Sequence, residues 1–240
     1  MREVSDLWKQ IVSGEYETEA TLVIADGDVS DGLPMNRIHY IKTNRRLFDG
    51  DTPSVGGCVA GEIEAKFFMP SNGVPRNARL RVYVRVHPKG RPEEYSEWLR
   101  KGVFWIDSRK LKKLKNGNTI ITITGYDAML RAEEDFDYSV LKKWPAVDIN
   151  VVKKIAKQMG VELDPRTEEI ITNGYEIPIP DGYSCREILG NIAAMYAGNF
   201  VMSDLGQLLL VQLNNVPRES VVLVNETGVP LLFGGEMIRV

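Results

Sequence analysis

The chain reads as an α+β protein that is mainly β: an antiparallel β-barrel or sandwich followed by a small α/β domain. Three observations predict this. Apolar and polar residues alternate with period two in six runs between residues 20 and 124. The runs are separated by clusters of Gly, Pro, Asn and Asp, which form turns. Beyond residue 148 the apolar period changes to three and four, the spacing of amphipathic helices.

Residues 4–12 predict a first helix with Leu7, Trp8 and Ile11 on its apolar face and Gly14 at its end. Strands are expected at residues 20–25, 37–43, 58–68, 79–86, 102–107 and 119–124. The run 58–69 is apolar enough to need cover, and it is a candidate edge for pairing with another subunit. Residues 109–115 hold five Lys or Arg with Leu111 and Leu114 and read as a solvated hairpin connection. Asp127 can cap a short helix at 128–134, which an acidic run closes.

Asp148 can cap a helix carrying Val152, Ile155, Ala156 and Met159, with Gly160 as its stop. Ser184 and Glu187 have capping-box spacing ahead of Ile188, Leu189, Ile192, Ala193 and Tyr196, with Gly198 as the stop. A hairpin over 200–203 and 208–213 follows, turning at 204–206. The expected organisation is a β-barrel at 1–127, an α/β domain with two helices and a hairpin at 128–215, and fresh β pattern at 216–240. That last pattern lies at 221–224, 230–233 and 237–240 and has no closing element. Either it returns to complete the first barrel, or it opens a second in a longer protein.

The 240 residues are 43% apolar, enough for one large core or two ordinary ones. A net charge of −3 leaves no electrostatic footprint for nucleic acid or an anionic membrane surface. No apolar run approaches the length of a membrane span, and the charged start has no signal-peptide core, so synthesis in a cytoplasm is expected. Cys58 and Cys185 suggest two buried small apolar residues, with neither a disulfide framework nor a zinc site.

Catalytic constellations are thin. His39 and His87 lie in or beside β runs without the spacing of a metal pair. Asp26, Asp28, Ser30 and Asp31 resemble a calcium loop until the sixth and twelfth positions, where Asp31 and Arg37 stand in place of Gly and Glu; a turn between strands accounts for them. Glu62 and Glu64 share the solvent face of a strand by alternation. Gly56-Gly57 and Gly234-Gly235 lack the Lys-Ser/Thr and helix of a phosphate loop and read as bulges or close contacts. Two rival readings keep specific residues: a cell-wall enzyme would use His87 with Glu93 or Glu94, and a carbohydrate-binding module would stack sugars on Tyr83, Trp98 and Trp105.

Four segments in order carry a family resemblance. Residues 48–68, through Val55, Gly56, Gly57, Val59, Ala60, Ile63 and Ala65, resemble a strand of phage tail hub proteins that follows a polar loop. KGVFWID at 101–107 and TIITITGYDAML at 119–130 resemble later strands of that family. GYSCREILGNIAA at 182–194, with GNFV at 198–201 and GQL at 206–208, resembles its helix-hairpin segment. The resemblance to the baseplate or tail-tip hub family, to which type VI secretion spike hubs are related, implies split β-barrel hub domains around a small α/β insertion. It implies a homotrimer whose barrels form a pseudo-sixfold ring between the tail tube and a central spike or tip. The implied partners are further copies of the chain, a distal tail or tube protein and a spike or fibre protein. The implied location is the virion tail, assembled in the bacterial host cytoplasm, with no catalytic residue, metal or cofactor. A full hub has a second barrel, which these residues only begin after Val221.

Overall fold

The computed structural model describes residues 4–48, 50–91 and 93–213, and beyond them only the short strand pair Leu232–Phe233 and Glu236–Met237. The expected strand at 221–224 lies outside the described residues, as do most of those at 230–233 and 237–240.

Helix α1 (Asp6–Val12) starts two residues later than its apolar pattern, because Ser5 caps it by accepting from the Trp8 N–H at 3.0 Å. Six strands follow: β1 (Tyr16–Ile24), β2 (Ile38–Asn44), β3 (Glu62–Phe68), β4 (Arg79–Pro88), β5 (Leu99–Lys113) and β6 (Thr119–Tyr126). They form one antiparallel sheet in the order β1-β4-β5-β6-β3-β2, curled into a nearly closed barrel. Alternation fills the inside with one apolar cluster. Leu22 of β1, Ile63, Ala65 and Phe67 of β3, Leu80 and Val82 of β4, Phe104 and Ile106 of β5, and Ile121 and Ile123 of β6 are all buried in it.

The seam between β1 and β2 is partly filled by the loop 25–37. The Leu33 N–H donates to the Leu22 carbonyl at 3.0 Å, the Ala20 N–H lies 3.3 Å from the Met35 sulfur, and the Thr21 hydroxyl donates to the Leu33 carbonyl at 2.9 Å. Asp28 and Asp31 form a reciprocal capping box inside that loop, and Asp26 pairs with Arg79. The turn reading of these acids is therefore the structural one.

Two features differ from the sequence expectation. The run from Cys58 is not an edge: Glu62–Phe68 sits between β6 and β2, while Cys58 leaves the barrel and bridges to Phe200. β5 runs to Lys113, so Arg109–Lys113 pair with Thr119–Ile123, and the hairpin connection is only 114–118. Lysine keeps a strand's outer edge soluble, which is why this stretch resembles a turn in sequence.

The second core is built from helix and hairpin. The chain passes through a short 3₁₀ turn (Ala128–Glu133), β7 (Ala146–Val147), α2 (Asp148–Gln158), α3 (Pro165–Ile170), β8 (Glu176–Ile177), α4 (Cys185–Met195), β9 (Gly198–Met202) and β10 (Leu208–Gln212). Val152, Ile155, Ala156 and Met159 face Ile188, Leu189, Ile192 and Ala193 in one buried cluster with Phe200, Leu208 and Leu210. Asp148 is the first residue of α2, not its cap. Its fully buried carboxylate accepts from the Ile149 N–H at 2.7 Å and the Tyr196 hydroxyl at 2.5 Å, tying α2 to the end of α4. The α4 capping box forms as expected, but the helix stops at Met195 and Gly198 already belongs to β9. The six-residue α3, capped by Asp164, had too few turns to show a period.

Candidate functional site

The residues singled out for enzyme chemistry do not converge. His87 is buried, with its Nδ1 3.1 Å from the Pro88 carbonyl and its ring edge-on to Tyr95. The carboxylate beside it is Glu17 on β1, 3.7 Å away, whereas Glu94 pairs with Arg91. His39 is exposed and packs on Phe68. Glu64 accepts from the Tyr40 hydroxyl on the outer face of the sheet, while Ile63 and Ala65 point inward. Among the described residues no group of three or more His, Cys, Asp or Glu is placed to hold a metal ion.

The three aromatic residues of the sugar-platform reading each lie against a guanidinium. Arg85 stacks on Trp98 at 4.5 Å, Arg131 on Trp105 at 4.2 Å, and Arg100 lies 5.5 Å from the centre of the buried Tyr83 ring. Trp105 also packs against the second core. The three do not make one open face.

What the structure does bring together is the junction of the two cores. Residues 54–61 run from the barrel across α4 and β9. The Gly56 N–H donates to the Gly198 carbonyl and the Phe200 N–H to the Gly57 carbonyl, both at 2.9 Å. Asn199, fully buried, receives the Gly57 N–H at 2.5 Å and donates to the Ser54 carbonyl at 2.7 Å. Arg186 of α4 donates to the Cys58 carbonyl at 2.5 Å and pairs with Glu133 at 3.0 Å. Arg45, just after β2, pairs with Asp204 in the β9–β10 turn. Gly56-Gly57 thus serves close backbone contact, as expected, with Gly56 at φ +82°. Both cysteines are buried free thiols, pushed up to about 12 at Cys58 and about 11 at Cys185, in each case first by burial.

Asp127 joins the same junction. Its carboxylate caps the 3₁₀ turn through the Met129 N–H at 3.0 Å and reaches back to the Gly61 N–H at 2.8 Å. Burial pushes it up to about 6, against the pull of those donors and of Arg45 and Arg186. Because the folded value is raised above the ordinary 3.8, its stabilising contribution is complete below 3.8 and is lost as pH rises through about 6. We expect the stability of the native protein relative to Asp127→Asn to rise by about 1 kcal/mol between pH 7 and pH 5. Urea unfolding of both proteins at the two pH values measures it, and an unchanged difference would contradict the assignment.

No family model matches the chain, and no curated protein matches it. Solved structures do. The 43 kDa tail protein of prophage MuSo2 from Shewanella oneidensis superposes with a TM-score of 0.54 at 11% identity, over 88% of this chain. The fold is similar to part of that prophage tail protein. A tail protein from Neisseria meningitidis follows with a TM-score of 0.46, 14% identity and 80% of this chain, and the Francisella PdpA–VgrG complex with 0.46, 11% and 81%. This chain spans 58%, 51% and 31% of those chains in turn.

The junction residues Arg45, Arg186 and Asn199 were not legible beforehand. Their partners lie 128 to 159 residues away in sequence, and no local pattern marks a side chain that bonds a distant backbone.

Proposed function

We propose that this protein is a structural, non-catalytic component of a phage-type tail, the trimeric hub that joins the tail tube to a central spike or tip. The observation that carries the reading is the superposition on the MuSo2 tail protein over 88% of the chain, with a TM-score of 0.54. The four sequence segments that resemble tail hubs fall in the crossing segment with β3, in β5, in β6 and in α4–β10, the parts that build the barrel and its junction. In this reading residues 1–127 are the hub barrel, 128–215 the α/β domain, and 216–240 return to that barrel or open another. The partners are two further copies, a tube or distal tail protein and a spike, with no nucleic-acid specificity, metal or cofactor. The protein resides in the virion tail after assembly in the host cytoplasm.

A junction held by backbone hydrogen bonds suits that role, since an adaptor between a tube and a spike transmits geometry through such contacts. Gold-labelled antibody against the chain, applied to purified tails, is expected at one end only. Labelling along the whole tail, or none on intact tails, would overturn the proposal.

A further inference from the structure

Among the stretches of strand edge that the barrel leaves uncovered in the described residues, two are opposite in charge. The first is the outer part of β5. β4 pairs with this strand only through Trp105, and the last bond on that side runs from the Ile106 N–H to the Ala78 carbonyl at 3.2 Å. From Ser108 to Lys113 the strand pairs with β6 alone. Arg109 and Leu111 lie opposite the buried Ile123 and Ile121, so Ser108, Lys110 and Lys112 occupy the outer face. Lys110, Lys112 and Lys113 are exposed or partly exposed and make no ion pair among the described residues.

The second is the first half of β1, an end strand of the sheet. The loop 25–37 covers its second half through Ala20 and Leu22, whereas Tyr16, Glu17 and Thr18 are exposed. Leu22 points into the barrel, so Glu15, Glu17 and Glu19 share the outer face at the spacing of Ser108, Lys110 and Lys112. The side chains of Glu15 and Glu17 keep 81% and 58% of their surface in water, although each has a basic neighbour on β4 or just beyond it.

A lysine-rich edge by itself deters pairing with uncharged or basic strands. Here the same chain carries the complementary edge, with acids on the matching face and unpaired backbone beside them. We propose that the outer part of β5 in one copy adds as a strand to the first half of β1 in a second copy, lysine against glutamate. The contact is head-to-tail, so its repetition closes a ring if the rotation between copies permits. This deepens the hub reading and rests on it. A phosphate backbone would also meet the lysines, but it has no use for an open row of backbone donors and acceptors.

The test is light scattering of the full chain over a range of concentrations at low salt. Four proteins are compared: wild type, Lys110→Glu with Lys112→Glu, Glu15→Lys with Glu17→Lys, and all four substitutions together. Wild type is expected to gain mass with concentration, each double variant to associate roughly tenfold more weakly, and the fourfold charge swap to recover. Circular dichroism and the unfolding midpoint check that each variant folds, and Lys110→Gln with Lys112→Gln supplies a milder version. Equal association in all four proteins would overturn the strand pairing and leave the hub reading standing. A wild-type chain that stays monomeric throughout overturns it too, and the hub reading is then decided by tail labelling alone. Retention of a DNA duplex by wild type but not by the lysine variant, without any change in mass, would overturn it in favour of a phosphate-binding strip.

Discussion

Replacing Gly190 by leucine is expected to lower the unfolding free energy by about 3 kcal/mol or more. Gly190 lies mid-way along α4, where alanine would ordinarily favour the helix by about 1 kcal/mol. The packing outweighs that preference. A Cβ built on Gly190 would stand 2.7 Å from the Gly56 carbonyl oxygen, a backbone atom that cannot swing aside, and one on Gly56 would stand 3.0 Å from the Gly190 oxygen. The two backbones touch, and a leucine must push residues 54–57 off the helix. That displacement breaks the Gly56–Gly198 and Gly57–Phe200 bonds and strands the buried Asn199 amide, each loss contributing about 1 kcal/mol or more. Denaturant unfolding of Gly190→Leu beside Gly50→Ala, a site with open space around it, measures the effect. A change under 1 kcal/mol would show that the junction yields.

The second large effect is expected at Phe200. Its ring is fully buried in the α/β core, on the strand that faces α4 and bonds the barrel's crossing segment. Phe200→Ala removes apolar surface and leaves a cavity in that buried cluster, which costs about 3–5 kcal/mol. Because the same residue's N–H bonds the Gly57 carbonyl, amide exchange should speed up at Gly56 and Gly57 as well as in α4 and β9. Exchange unchanged in residues 54–61 would mean that the crossing segment is held from the barrel side alone.

The readable part of the fold was the part set by local alternation. Each of the six period-two runs contains or adjoins a strand, because Leu22, Ile63, Leu80, Phe104, Ile121 and Ile123 must all reach one interior. Strand order was not readable, since pairing β3 with β6 and β1 with β4 joins residues far apart in sequence. Hence the mistaken edge at 58–69: its apolar character reflects a strand between two neighbours, followed back to a segment packed on the second core. The basic stretch at 109–115 misled for the opposite reason, because solvated lysines on an uncovered strand edge have the composition of a turn. Helix α4 was legible to the residue at its start, where Ser184 and Glu187 act over three positions, and illegible at its end. There the chain turns through Ala197 at φ +49°, a conformation glycine was expected to supply.

The candidate site follows the same division. Glu62, Glu64 and the Asp28–Asp31 turn sit where alternation and loop spacing put them. The junction, by contrast, depends on single side chains meeting distant carbonyls.

The central claim is best tested by counting the protein in purified, salt-washed tails by quantitative mass spectrometry against a tube protein, with averaged electron micrographs locating it. The hub reading predicts three copies per tail, all at one end. Copies in proportion to tail length, or loss of the protein from tails that remain intact, would contradict it.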